Sequence, residues 1–533
     1  MAPMLQAFWT QIISHLQISD LAVAALVLFV FSAVAQRLTT KGPMMWPVLG
    51  ALPTLFFHLG NVYDWATDSV TRAGGTFPYR GMWFCSAYGV MTVNPANIEY
   101  MLKTRFSNFP KGRYYRERFV DFLGDGIFNA DDQTWRHQRR AATAEMHSAR
   151  FTEYSADTMR ELVHRRLLLL LDRLSAAGQT VDLQDVFLRF TFDNICTAAF
   201  GVDPGCLAVD LPAIPFAKAF EQATELTLVR FTVPPFAWRI MKYLNIGSEK
   251  RLKGAVQTVH KFAEKTVSDR RAEFRMLEGS NERSDLLSRL MEADLKDGAG
   301  QGGMECKFSD KLLKDFCISF ILAGRDTSSV ALAWFFWLLH RHHQVKERIL
   351  DEIWETIKKR QEYEVCHGVD DIVFTVEELK GMEYLQAALS ESLRLYPSVP
   401  LDFKEALEDD VLPDGSVVKK GARVMYSIYS MARMEGIWGK DCREFRPERW
   451  MKNGTFVAEN PFKYAVFNAG PRLCVGKKFA YTQMKMVAAS ILLRYHVEVV
   501  EGQEVKPKLN TTLYMKNGLR VIFKRREGLA TLQ

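Results

Sequence analysis

Near its C-terminal end the chain reads FNAGPRLCVGKKFA over residues 467–480, one cysteine set between two glycines and behind an arginine, directly before a strongly helical stretch, KKFAYTQMKMVAASILL. A fold containing this segment must bring a loop and a helix N-terminus together around a single thiol. Unpaired backbone N–H groups and the positive end of the helix dipole there favour thiolate, the metal-binding form. Gly470 supplies a turn conformation that a side chain forbids, and Gly476 lets the helix backbone approach a large flat ligand. Phe467 is placed to shield the sulfur, and Arg472 to reach an anionic group on that ligand. The plain alternative is packing, because a free cysteine is among the most buried residue types.

The rest of the chain narrows the choice. Its 533 residues, 48% hydrophobic and 25% charged with no long charge block, are those of a globular protein. Eight cysteines without CxxC pairs or His/Cys clusters argue against a zinc site and a dense disulfide framework. The net charge of +7 comes without a basic helix interleaved with aromatics, so nucleic acid is a poor partner. An acidic protein or an anionic membrane surface suits it better.

Leu21 to Ala35, LAVAALVLFVFSAVA, is a charge-free apolar run which, with its flanks to Leu38, is long enough to span a membrane. The rival is a cleaved signal peptide ending at AVA, 33–35. Residues 1–36 hold no Lys or Arg, whereas Arg37 and Lys41 follow, so an uncleaved anchor with a cytosolic body is expected. KGPMMWPVLG, 41–50, is a Pro/Gly-punctuated connector. Short strands are expected in 77–94 and 401–466. Helical periodicity marks 157–175, 253–276, 310–340, 343–360 and 376–396, and another helix starts near Gly476. DGAGQGGM, 297–304, reads as a surface loop. The expectation is an anchor and linker, 1–40, followed by a mainly α (α+β) body, 41–533, with small sheets.

Phe467, Gly470, Arg472, Cys474 and Gly476 fit FxxGxRxCxG, and this segment resembles the haem-binding loop of the cytochrome P-450 monooxygenases. AGRDTSS, 323–329, inside the long apolar helix, resembles that family's oxygen-activation motif. The resemblance implies that Gly324 thins the helix so that dioxygen fits, and that Asp326 and Thr327 pass protons, help typically worth ~10²- to 10⁴-fold. Arg325 either pairs with Asp326 or faces away. Without the resemblance, this stretch is a core helix with a costly glycine. Glu391 and Arg394 in ESLR share a helix face, and Arg449 in FRPERW would complete a buried Glu-Arg-Arg network. Exposed, such pairs contribute almost nothing. Trp135 and Arg139 in WRHQRR resemble the helix that reaches a haem propionate; alone they mark an ordinary basic helix. The implied cofactor is haem b held by Cys474, with dioxygen and NADPH-derived electrons as cosubstrates. The chain carries no nucleotide-binding fingerprint of its own, so NADPH-cytochrome P-450 reductase is the implied partner at the endoplasmic reticulum membrane.

Residues 395–415 and 427–450 are similar to plant fatty-acid ω-hydroxylases of the 86 family, nearest to its very-long-chain branch. That implies terminal hydroxylation of long or very-long acyl chains for suberin- or cutin-type polymers. Terminal attack runs against intrinsic C–H strengths, so a narrow apolar channel is expected. Its candidate lining is Phe119, Phe122, Phe128, Phe320, Ala323, Val399, Leu401, Phe403 and Leu513, each equally well read as core. Rival readings are oxidation of another hydrophobic substrate (in-chain fatty acid, alkane or terpenoid), a reductase-independent haem-thiolate isomerase, and a non-catalytic haem protein.

Overall fold

The charge-free run forms helix α1 (Ile18–Thr39), whose apolar side chains point outward, Leu28 and Phe31 among them. Its 18-residue window Ser19–Gln36 has mean hydropathy 1.9 and no buried share, the profile of a candidate membrane span. The computed structural model describes residues 17–39, 42–82, 87–276, 283–298, 308–361 and 372–526. Residues 299–304 of the expected loop, and Cys85, Cys306 and Cys366, lie outside them; residues 297 and 298 still belong to the helix Leu286–Gly298.

The body is helical where periodicity called for it, except that the span expected at 376–396 is broken at Met382 into Val376–Gly381 and Glu383–Leu395. The helices that matter for the site are α2 (Gly112–Leu123), α3 (Asp132–Met146), α4 (Leu183–Phe200), α5 (Pro215–Thr232), α6 (Pro235–Leu244) and α7 (Gly247–Met276). After them come α8 (Asp310–Arg341), α9 (Glu383–Leu395) and α10 (Lys477–Arg494). The span expected at 157–175 runs on as helix through one wider π stretch, Val163–Leu167. Helix α4 carried no usable period because it is buried on almost every side. Its ends still follow local rules: the Asp182 side chain accepts from Gln184 N–H, and Gly201 closes it at φ 61°.

Helix α8 is the spine. Ser309 caps it, its side chain accepting from Leu312 N–H, and 78% of its apolar window is buried, so it is a core helix and not a second membrane span. The largest apolar cluster gathers around α8, α9 and α10, and a second fills the space between α2, α4, α5, α7 and α8. Four short strands, β1 (Thr76–Arg80), β2 (Tyr88–Thr92), β3 (Leu401–Glu405) and β4 (Arg423–Ser427), make one sheet in the order β1-β2-β4-β3. Only β2–β4 is parallel. Strand β3 is therefore an edge strand; its register sets Leu401 opposite Ser427 and Glu405 opposite Arg423.

One carboxylate ties α9 to the segment that leads toward the cysteine loop. Glu391, fully buried, accepts from Arg394 Nε (2.7 Å) and Nη2 (2.8 Å), Arg449 Nε (3.4 Å), Trp450 Nε1 (2.9 Å) and Arg446 N–H (3.0 Å). Arg394 also donates to the carbonyls of Ala432, Cys442 and Glu444. Removing a partner from such a network leaves uncompensated buried charge, at about 3–5 kcal/mol. Glu391→Ala is therefore expected to lower the denaturation midpoint sharply, with Glu391→Gln in between. An unchanged midpoint in the alanine variant would show the network to be idle.

Candidate active site

Cys474 sits on the turn that enters α10, with Gly476 as the capping residue. Its N–H donates to Phe467 O (2.8 Å), and the Phe467 ring packs on Tyr481 with 5.2 Å between centroids. Of the five free cysteines among the described residues, Cys196, Cys206, Cys317 and Cys442 are buried and Cys474 alone is exposed. The sulfur is accessible yet set deep, so burial pushes the thiol up, against the Gly476 N–H, Arg139 and Lys477. The expected preference for thiolate from the helix terminus is thus outweighed by desolvation in the free protein. A metal ion against the sulfur is what deprotonates such a thiol.

The two glycines differ in kind. Gly470 has φ +63°, and a Cβ there would lie 2.1 Å from the Leu102 carbonyl oxygen, so only glycine fits. At Gly476 a Cβ would meet nothing nearer than Met146 Cε at 3.7 Å. The protein itself gives no steric reason for that glycine, which suits a position reserved for a ligand.

Beside the loop, cations outnumber carboxylates. Arg472 Nη2 pairs with Asp131 (2.6 Å), its guanidinium lies 4.5 Å from the Trp135 ring centre on α3, and its Nε is buried without a partner. Arg139, one turn further along α3, forms no ion pair among the described residues; burial lowers it, with Cys474 opposing. Behind them Asp402 on β3 pairs with Lys111 (3.1 Å) and Lys404 (2.5 Å) and accepts from Tyr426 (2.7 Å). Burial would raise the Asp402 carboxyl, but the two lysines hold it far below the usual range. Burial pushes Lys404 down to about 7, against Asp402. The sequence reading missed Lys111, Asp131, Asp402, Lys404 and Tyr426. The i, i+2 spacing of Asp402 and Lys404 on a strand was the available signal.

On α8, Arg325 Nη1 meets Asp326 Oδ1 at 3.0 Å, both side chains buried, which answers the orientation of Arg325. Burial pushes the Asp326 carboxyl up, with Arg325 and a hydrogen bond from Tyr514 opposing. Thr327 Oγ1 donates to Ala323 O (2.7 Å), and Ser398 Oγ to Thr327 O (2.7 Å). Thr327 and Ala323 therefore share a partly exposed face, while Asp326 lies one position round the helix.

A family model described as Cytochrome P450 matches residues 41–523. The chain belongs to the cytochrome P450 family. It is 51% identical to Cytochrome P450 86B1 of Arabidopsis thaliana over 96% of this chain and 90% of that protein. It is 39% identical to Cytochrome P450 94A2 of Vicia sativa over 92% of each, and 34% identical to Noroxomaritidine synthase 1 of Narcissus pseudonarcissus over 97% and 98%. As a P450 the chain is a monooxygenase that uses thiolate-ligated haem, dioxygen and an electron donor, with a redox partner. The residues present fit that group: Cys474 would ligate it, Gly476 would leave it room, and Arg472, Arg139 and Trp135, with Lys111 behind, would hold its acid groups.

Two expectations about this P450 need correction. Gly324 is turned to α4 and not to the partly exposed face that Ala323 and Thr327 share: a Cβ there would fall 2.5 Å from Ile195 Cγ1. Phe122 and Leu513 do not line a channel: both are fully buried in apolar clusters, Phe122 edge-on to Phe220, and Leu513 O accepts from Trp334 Nε1 (2.6 Å). Phe119 and Phe320 are also buried, stacked on Tyr115 and Phe316. Phe128, Ala323, Val399, Leu401 and Phe403 keep open surface, Leu401 at 37%. Phe231 and Tyr115 join Phe403 in an aromatic wall that the sequence reading had seen only in part.

If Gly324 serves α4–α8 packing, Gly324→Ala overpacks that contact, at about 1–3 kcal/mol. Ile195→Ala in the same chain should recover most of the lost thermal stability. Failure of the double variant to recover would return Gly324 to the role expected from sequence.

Proposed function

We propose that this P450 hydroxylates the terminal carbon of long or very-long-chain fatty acids, with electrons from NADPH through NADPH-cytochrome P450 reductase. The observation that carries the reading is 51% identity to Cytochrome P450 86B1 along nearly the whole chain, joined to the likeness of residues 395–450 to plant fatty-acid ω-hydroxylases. In this reading residues 1–40 anchor the protein once in the endoplasmic reticulum membrane and 41–533 form the cytosolic haem-thiolate unit. The product class serves suberin- or cutin-type polymers. Apolar side chains left exposed on α6, Phe236, Ile240 and Leu244, support a lipid-side approach for the substrate, since α6 directly follows the end of α5 that carries Phe231.

Cys474 is the axial ligand in this proposal, Arg472, Arg139 and Trp135 hold the cofactor's acid groups, and Asp326 and Thr327 handle protons. Burial raises the Asp326 carboxyl against the pull of Arg325, and Thr327, back-bonded to Ala323 O, presents its oxygen on the partly exposed face. Val399 and Leu401 narrow the approach, so the chain presents its methyl end. If intrinsic C–H preference opposes terminal attack by ~3 kcal/mol, positioning must supply about a hundredfold. A second reading, oxidation of another hydrophobic substrate, is favoured by 34% identity to Noroxomaritidine synthase 1 over 97% of this chain.

Cys474→Ala is expected to abolish the red-shifted Soret band of the carbon monoxide complex; a retained band would remove Cys474 as ligand. Microsomes with reductase and saturated fatty acids of several lengths should yield ω-alcohols, located by mass spectrometry. Val399→Ala or Leu401→Ala should raise the ratio of subterminal to terminal alcohol several-fold, with total turnover falling less. Mostly subterminal products from the wild type, or no turnover of fatty acids, would favour the second reading.

A further inference from the structure

Arg118 on α2 is a cation that no carboxylate among the described residues pairs with. It is 2% exposed, and among the described residues it forms no ion pair. The acids around it are engaged elsewhere. Glu117 binds Arg113 (2.5 Å) and Arg239 (2.8 Å), Asp121 binds Arg230 and Lys242 (each 2.7 Å), and Glu249 binds Arg230 (2.6 Å). Arg118 itself meets only neutral acceptors: Nε donates to Arg230 O (3.0 Å) and Nη1 to Tyr114 O (2.8 Å). Arg230 Nη1 returns a bond to Arg118 O (2.8 Å), so the pair clasps α2 to α5. Nη2 of Arg118 donates to no protein atom among the described residues. Burial brings the guanidinium down to about 10. A clasp alone does not require a charge, and a buried charge left without a counter-ion is costly.

The surroundings indicate what would answer it. The Tyr114 ring is stacked between two guanidiniums, Arg118 at 3.4 Å and Arg423 at 3.6 Å from its centre, Arg423 being itself 4% exposed. Arg118 also lies 5.3 Å from the centre of Phe231, the ring that packs with Tyr115 and Phe403 in the aromatic wall. The wall has a direction. Strand β3 starts at Leu401, just after Ser398, which bonds Thr327 O, and ends at Glu405, opposite Arg423. The cationic pair therefore stands at the end of the strand away from the oxygen-side residues of α8.

The geometry points to Arg118 as the anchor for the carboxylate of a free acyl acid, whose chain lies along Tyr115, Phe231 and Phe403 with its methyl end toward Thr327. This rests on the fatty-acid reading above and adds that the acid is taken free and not as an ester. An arginine nitrogen without an acceptor, in an apolar and aromatic setting, is suited to a charge-assisted bond to carboxylate.

The test uses the haem-loaded full chain and titrates the substrate-induced spin-state change with hexadecanoic acid, docosanoic acid and their methyl esters. The wild type should bind at least one acid about tenfold or more tightly than its ester, the scale of a hydrogen bond to a charged group. Arg118→Gln, which keeps a neutral donor for the clasp, should bring that ratio close to one, and Arg118→Lys should restore part of it. A wild type that binds acid and ester alike, or an Arg118→Gln protein that keeps the wild-type ratio with an intact carbon monoxide spectrum, overturns the anchor. Should Arg118→Gln fail to load haem, the wild-type ratio decides alone. If the wild type binds and oxidises no acyl chain, it is the fatty-acid reading that falls.

Discussion

The buried Glu391 carboxylate is the constraint from which the site's geometry descends. It fixes Arg394, Arg449 and Trp450 at one point, and Arg394 in turn holds three carbonyls between Ala432 and Glu444. That stretch has little regular structure of its own and would otherwise have to be positioned by packing alone. Side-chain donors stand in for a backbone ladder, and the chain leaves this region already aimed toward the Phe467–Cys474 turn. A hydrophobic replacement of similar volume could fill the same space, but it could not satisfy those carbonyls.

How much of this the sequence disclosed depended on the kind of signal. Fixed-spacing motifs placed Cys474, Glu391, Arg394 and Arg449 on the right elements, because spacing along a helix or turn becomes geometry almost directly. Helix α4 stayed hidden because a helix buried all round has no amphipathic period. The buried polar set of Lys111, Asp402, Lys404 and Tyr426 was equally hidden, Lys111 lying 291 positions and Tyr426 24 positions from Asp402 with only Asp402 and Lys404 close in sequence. Channel residues fared worst. Phe122 and Phe403 are both phenylalanines in suitable segments, yet one is sealed against Phe220 and the other keeps an open face. Only the packing partner distinguishes them.

The electrostatics divide the site into two unlike halves. Around the Cys474 loop the cations exceed the carboxylates, Arg472 keeping a buried nitrogen unsatisfied and Arg139 without an ion pair among the described residues. An anionic cofactor would complete that half and recover the desolvation cost of its cations. On α8 the charges are instead already paired, Arg325 with Asp326. Burial raises that carboxyl while Arg325 opposes the rise, so the balance of the pair, and not the acid alone, sets when it takes up a proton.

The glycine of AGRDTSS shows why a motif's chemistry and its sterics have to be argued separately. A glycine beside an acid and an alcohol invites a reading in which all three face the reaction. On a helix, however, successive residues stand about 100° apart, so Gly324 and Asp326, two positions apart, point in nearly opposite directions and the three cannot all face one point. Thr327 bonds back to Ala323, which puts those two together, and Gly324 is turned to α4, where Ile195 fills the space its side chain would need. The close approach this permits brings Thr191 Oγ1 within 2.7 Å of Arg325 O, and Ser329 Oγ bonds that same carbonyl. Two hydroxyls on one carbonyl, with Ser398 on the carbonyl of Thr327, compete with the helix's own ladder at just the turn that carries Asp326 and Thr327. The glycine therefore shapes this turn indirectly, through the helix-to-helix distance that lets those hydroxyls reach.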